Sequence, residues 1–289
     1  VMIKFKSANA EIYLPNEQNI TSALKKTTHL AIAAHQDDIE IMATSGILAC
    51  FQQEDQWFTG VVMTDGRSSP RADLYAGFSN EQMMEIRLLE QKKAAQIGDY
   101  SAQIFLGYPS SAVKDGSNKD PVDDLQHLIR ATAPKIVYTH NLADKHQTHV
   151  GVALRVIQAL RRIPSNMRPQ KVYGCEVWRG LDWMLDDEKV ALDCSERTNI
   201  QNALLSVFDS QVSGGKRYDL ATMGRRMANA IFFSSHAIEE AEGLTYAMDL
   251  TPLIEDDNLD IEAFARGHIE RFADDVGERI SKAIKNEKE

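Results

Sequence analysis

Cysteine is scarce in this chain: Cys50, Cys175 and Cys194 stand far apart, with no CxxC pair. So sparse and odd a set excludes a disulfide framework and fits a reducing compartment, where such thiols pack as small hydrophobes. Long hydrophobic runs are missing as well. No segment approaches the roughly 20 apolar residues of a spanning helix, and residues 1–10 hold no apolar stretch of the kind a secretory leader carries. A cytoplasmic protein with no membrane partner is therefore expected. Positive charge is in short supply, with 32 Lys and Arg against 42 Asp and Glu for a net charge of −10. That argues against a nucleic-acid surface, which needs a basic stripe, but leaves room for a local basic pocket. Repeats, low-complexity tracts and Pro/Gly/Ser linkers are also absent, so one domain over 1–289 is the simpler organisation, with a core at 28–180 and an elaboration at 181–289.

Hydrophobic residues make up 43% of the chain, enough to build a core. They are arranged in alternation. His29 to Ala34 is a nearly continuous apolar run, as in a parallel strand buried on both faces. A helix is predicted over 39–53, a strand over 57–64 and a helix over 79–97. Strands at 103–106, 135–139 and 171–177 then alternate with helices at 123–132 and 146–161. Ile12-Tyr13-Leu14-Pro15 reads as a short edge strand. From about 195 onward the pattern is mainly helical, over 196–209, 219–236 and 261–284, the last with a solvated face and a Lys/Glu-rich end. Alternation of this kind predicts an α/β, Rossmann-like three-layer fold with a mostly parallel sheet and a helical C-terminal elaboration. Ligands of such sheets bind beyond the C-terminal strand ends, where the winding reverses.

Two constellations fall at such ends. The first apolar strand runs straight into His35-Gln36-Asp37-Asp38. Two adjacent carboxylates beside a core strand are costly unless a cation compensates. His35 and Asp38 offer a nitrogen and an oxygen to one divalent ion, and Asp37 is then free to take a proton from a water. Either aspartate can instead cap the following helix. The second constellation, His146-Gln147-Thr148-His149, opens a helix after another parallel strand, and residues three apart share a face. Together the two supply His35, Asp38 and His149 as a two-histidine, one-carboxylate site with positions left open for water and substrate. His146 remains to stabilise an oxyanion or protonate a leaving amine. Asp144 is either a partner orienting one of these histidines or a loop and capping residue.

These residues resemble a known family. Ala34-His35-Gln36-Asp37-Asp38 is similar to the His-Pro-Asp-Asp motif of the PIG-L/LmbE-like N-acetylglucosaminyl deacetylases. Thr139-His140 through His146-Gln147-Thr148-His149 resembles that family's His-Pro-Asp-His motif, and Thr64-Asp65-Gly66, Arg87 and Leu106-Gly107-Tyr108 follow its order over roughly residues 28–160. The resemblance implies a Rossmann-like fold and hydrolysis of an acetamido group on an amino sugar, with Zn2+ or another divalent ion such as Fe2+. His35, Asp38 and His149 match the metal ligands, Asp37 the general base, and His146 the residue assisting the tetrahedral intermediate. Arg87 falls where the family places a substrate-contacting arginine, against the plainer reading of a solvated helix arginine. Gln36 replaces the usual proline, the following acid appears as Glu40, and Thr148 replaces an aspartate, which puts the protonation of His146 in question. Asp144 is the candidate to compensate.

In the last third, Gly214-Gly215-Lys216-Arg217 and Arg225-Arg226 concentrate positive charge in an acidic chain. Lys216 and Arg217 are candidates for reading an anionic substrate group such as a sugar phosphate, against solvated residues or a subunit contact in a homo-oligomer. Trp178, Arg179 and Trp183 are either a stacking platform for a sugar or core residues. Other readings compete with deacetylation. An iron oxygenase shares the ligand set, but those sites space their first ligands His-x-Asp. A nucleotide-dependent oxidoreductase would need a GxGxxG after a strand, and none is present. A sugar-binding module altered at Thr148, or an amidohydrolase acting on a non-sugar amide, remains as the alternative.

Overall fold

The computed structural model describes residues 3–16 and 19–286, so Val1, Met2 and the final residues of the Lys/Glu-rich end lie outside the described residues. One eight-stranded sheet is built from β1 (Glu11–Tyr13), β2 (His29–Ala33), β3 (Phe58–Thr64), β4 (Ala102–Tyr108), β5 (Ile136–His140), β6 (Lys171–Cys175), β7 (Lys189–Asp193) and β8 (Leu244–Asp249). Their spatial order is β1-β4-β3-β2-β5-β6-β8-β7. The central five, β4 to β6, are mutually parallel. The chain runs outward from β2 through β3 to β4, then returns to the other side of β2 for β5 and β6. The winding therefore reverses between β2 and β5.

All five residues of β2 are buried, as its apolar run requires. Leu30 and Ile32 face one layer, packing with the Asp120–Thr132 and Gln147–Arg161 helices through Leu125, Leu128, Val152 and Val156. Ala31 and Ala33 face the other, where their small side chains admit Ile39, Met42 and Ile47. These two buried faces are the reason the strand reads as a continuous hydrophobic run rather than an alternation.

The structure departs from the sequence expectations in detail. The helix predicted over 39–53 is two, Asp38–Met42 and Thr44–Cys50, broken at Ala43 with φ −113° and ψ 22°. The edge strand is present as β1, antiparallel to β4. The C-terminal part carries the helices Thr198–Ser206, Tyr218–Ile231 and Ile261–Asn286, and it also extends the same sheet, β8 pairing antiparallel with β6 and β7 antiparallel with β8. No described helix is long and apolar enough to cross a membrane.

Candidate metal centre and its cleft

β2 delivers His35 into the crevice where the winding reverses, and the loop after β5 brings His146 and His149 to meet it. The chain turns sharply at Asp37, whose φ of 93° is left-handed. For a non-glycine residue that conformation costs about 1–3 kcal/mol and persists only where the surroundings over-determine it. Here they do. The Asp37 N–H donates to Gln91 Oε1 at 3.2 Å. Gln91 Nε2 donates to Glu40 Oε1 at 2.7 Å, which also accepts the Tyr100 hydroxyl at 2.8 Å. Arg87 donates to the Gln36 carbonyl and to Ser69 Oγ, and its guanidinium lies 3.6 Å from Asp37 Oδ1. Gly66 makes room for this packing: at its φ of +75°, a Cβ would come within 2.6 Å of Gln36 Oε1 and 2.9 Å of Arg87 Cδ.

The three residues singled out as ligands converge. His35 Nδ1 is 3.1 Å from Asp38 Oδ2 and 3.2 Å from His149 Nε2, and His149 Nε2 is 3.3 Å from Asp38 Oδ2. Donors around a tetrahedral zinc-like ion with bonds of about 2.1 Å stand about 3.4 Å apart. The triangle fits such an ion, and two imidazoles with one carboxylate are a fitting donor set. Asp144 completes it, with Oδ1 3.7 Å from His149 Nδ1, so that ring presents its other nitrogen to the ion. The same carboxylate accepts the His146 and Trp178 backbone N–H groups at 2.9 and 3.0 Å. Asp144 therefore both orients and caps.

His140, to which sequence reasoning gave no role, ends β5 fully buried and stacks on His149 with ring centroids 3.9 Å apart. Asp38, His140 and His149 also form a group with metal-ligating spacing, as do His35, His146 and His149. His140 Nε2, however, accepts the Ala34 N–H at 2.9 Å, so its lone pair is committed and the ring acts as a support. A histidine at the last position of a strand was the only local signal for it. Arg226 belonged to the basic segment expected to read an anionic group, or else to be solvated or a subunit contact. It is buried, donating to the Glu40 and Ile41 carbonyls at 2.8 and 3.2 Å and thereby holding the Asp38–Met42 helix.

The electrostatics set the two adjacent aspartates apart. Burial opposes ionisation of Asp38, but the His149 and His140 rings prevail and hold its carboxyl well below the usual range. Burial likewise disfavours charge on His149, yet the Asp38 and Asp144 carboxylates outweigh it and hold its pKa up at about 9. Asp37 moves the other way: burial raises it to about 8, with Arg87 pulling it down and Asp38 adding to the rise. Burial, with His149 and His35 nearby, lowers His146 to about 4.

Above the triad opens a cleft of about 640 Å³. Asp37 and His146 line it, as do Trp178 and Tyr218, which meet edge to face at 5.8 Å. His146 stands half-buried, its Nδ1 buried without a partner among the described residues, with its ring stacked 6.5 Å from Trp178. Trp183 instead packs against the core, and Arg179 points to solvent, its backbone N–H reaching Asp144. The cleft wall carries six Lys and Arg against three Asp and Glu, the reverse of the chain's overall balance of 32 to 42. Lys216 stands 4.8 Å over the Trp178 ring and has no acidic partner among the described residues. Arg217 reaches the same rim, but its guanidinium is held bidentate by Asp219 at 2.9 and 2.7 Å. Arg87 also lines the cleft, although three of its neighbours are the Gln36, Ser69 and Asp37 groups described above.

Residues 30–160 match the PIG-L family, described as GlcNAc-PI de-N-acetylase. A relative from Escherichia coli K12 described as an uncharacterized deacetylase, YaiS, is 30% identical over 146 residues, which is 50% of this chain and 75% of that protein. Among solved structures, the 4-carboxy-2-hydroxymuconate hydratase GalB from Pseudomonas putida KT2440 aligns with a TM-score of 0.61 at 16% identity, covering 78% of this chain and 96% of that one. An N,N'-diacetylchitobiose deacetylase from Pyrococcus horikoshii aligns at 0.52 and 16% identity, covering 76% and 83%. The two solved structures share the fold while carrying different chemistries, so the fold alone does not choose between them.

Proposed function

The chain belongs to the PIG-L family, and from that premise we propose that it is a metal-dependent N-deacetylase. Its substrate is an amino sugar of N-acetylglucosamine type or a conjugate of one. The observation that carries this reading is the triangle of His35, Asp38 and His149 donors with Asp37 beside it, at the floor of an open cleft. These three residues would hold Zn2+, or another divalent ion such as Fe2+, whose Lewis acidity polarises an amide carbonyl and acidifies water.

The chain's own groups do the rest. Asp37 takes a proton from the attacking water and returns it to the departing amine. Its strained backbone, pinned by Gln91 and Arg87, fixes the carboxylate against the reacting carbon. His146 lines the cleft, where its half-buried ring is placed to hydrogen-bond the developing oxyanion or the leaving amine. Trp178 and Tyr218 offer aromatic walls to a sugar ring. Arg87 and Lys216, with Arg217 farther out, face an anionic substituent such as a phosphate. The family's aspartate is Thr148 here, and Asp144 gives its carboxylate to the His149 ring and to the His146 backbone N–H rather than to the His146 ring.

The test is a panel of N-acetylated amino sugars, free and phosphorylated, beside acetylated non-sugar amines. Acetate and primary amine should appear in equal amounts, vanish with chelator and return on adding Zn2+ or Fe2+. Sugar binding without turnover in the metal-loaded protein sinks the proposal, and turnover confined to non-sugar amides narrows it to a general amidohydrolase.

A further inference from the structure

The rim segment that leads to Lys216 and Tyr218 begins at a short helix, Asp209–Val212, whose first N–H groups need acceptors. Phe208 stands at its N-cap and has no side-chain acceptor to offer. Glu90, 120 positions earlier, supplies one instead. Its carboxylate accepts the Ser210 N–H at 2.8 Å on one oxygen and the Ser210 hydroxyl at 2.6 Å on the other. Both residues are buried. A buried carboxylate is costly unless hydrogen-bonded, and an acceptor-only group suits two donors on one residue.

From Ser210 onward the segment is tightly folded on itself. Gln211 lines the cleft, donates to Ser210 Oγ at 3.0 Å, and accepts the Lys216 N–H on its carbonyl at 2.8 Å. At Gly214 a Cβ would collide with the Ser210 carbonyl and come within 2.8 Å of Tyr75 Cδ2. Tyr75 in turn donates to Asp209 Oδ2 at 2.6 Å. That bond ties the segment to the loop whose Ser68, Ser69 and Pro70 form another part of the cleft wall. Lys216 over Trp178, and Tyr218 edge-on to it, are therefore placed by where Ser210 is held.

Glu90 lies on the Asn80–Ile97 helix, one turn after Arg87 and next to Gln91. Those two neighbours fix Asp37 at the floor. One helix face thus carries the fastenings of both floor and rim. We propose that Glu90 is a positioning residue for substrate binding, which by holding Ser210 sets Lys216 and Tyr218 in place relative to Asp37. It acts through the rim and touches no substrate. This deepens the deacetylase reading and rests on it for the identity of the substrate.

Glu90→Leu should raise KM for a phosphorylated amino sugar about fivefold, the worth of the exposed cation it places. Metal content should be unchanged. Changes in kcat should stay below about twofold, the reverse of the split expected for a residue that holds the base. Adding Lys216→Ala to Glu90→Leu should cost little more, because changes acting through one group do not add. Losses that multiply, or a loss confined to kcat, overturn the proposal. Glu90→Gln should restore KM, since its amide oxygen still accepts the Ser210 N–H and its amide N–H can donate to the turned hydroxyl. Ser210→Ala leaves Glu90 in place and should show the same KM split in smaller degree, which keeps the test open if the leucine variant does not fold. Hydrogen exchange needs no substrate: amides of 209–218 should exchange at least about tenfold faster in Glu90→Leu, and those of 35–42 no faster. Unchanged exchange over 209–218 overturns the proposal whatever the turnover, whereas a wild-type protein without turnover strikes only the deacetylase reading.

Discussion

The floor and the rim of the cleft are built by opposite means. The acids and the ligand ring at the floor are engaged: Asp38 by three rings and the His35 N–H, Asp37 by Gln91 and Arg87, His149 by the Asp144 carboxylate 3.7 Å away. These side chains are buried and supported by others that are buried. At the rim, Lys216 rests over Trp178 with no acidic partner among the described residues, and Arg217 satisfies itself locally on Asp219. The contrast teaches where preorganisation lies. A floor fixed before substrate arrives serves bond-breaking, whereas cations left uncommitted at the rim are available for whatever charge the substrate brings.

The sharpest break of this comparison divides the floor itself. His149→Ala removes one corner of the donor triangle and should abolish both metal binding and turnover. Asp37→Ala should retain the metal, measured by elemental analysis, and lose about 10²–10⁴ in kcat, the usual worth of a positioned base. Equal metal loss in the two variants would mean that Asp37 is a ligand rather than a base.

The next prediction concerns the supports. Gln91→Leu leaves the Asp37 N–H and the Glu40 carboxylate without their partner, at a stability cost of about 1–3 kcal/mol for an unsatisfied buried group. If Gln91 holds the strained Asp37 backbone, kcat should fall roughly tenfold or more, with KM and metal content unchanged. A fall in melting temperature alone would make it an ordinary core residue. Arg87→Lys separates floor from rim. Lysine cannot reproduce the fork onto the Gln36 carbonyl and Ser69, so a loss mainly in kcat assigns the arginine to the floor, and a loss mainly in KM assigns it to substrate.

How much of this the sequence carried follows from the range of each contact. His35 and Asp38, or His146 and His149, are neighbours whose spacing is set by one turn of chain, and the apolar runs of β2, β3 and β5 declare strands buried on both faces. The site was legible to that depth. Gln91 reaches Asp37 across 54 positions and Arg226 reaches Glu40 across 186, and no local pattern encodes such contacts. β7 and β8 escaped notice because each is short and pairs antiparallel at the sheet edge, with the helices of 198–231 lying between them in sequence. Arg217 is instructive in the other direction, its ion pair having gone unread although it is local. Its partner, Asp219, was visible two residues away.

The smallest effect is expected at the rim. Lys216→Ala should raise KM for a phosphorylated amino sugar roughly fivefold and leave the neutral sugar unchanged, since an exposed ion pair is worth about 1 kcal/mol at most. The difference should shrink as salt is added, because screening acts on exposed charges. Arg217→Ala should do less, its guanidinium being already engaged by Asp219. Equal losses on charged and neutral sugars would place Lys216 in the support of Trp178, which it overlies, and the uncommitted cations would then be part of the cleft's structure rather than its selectivity.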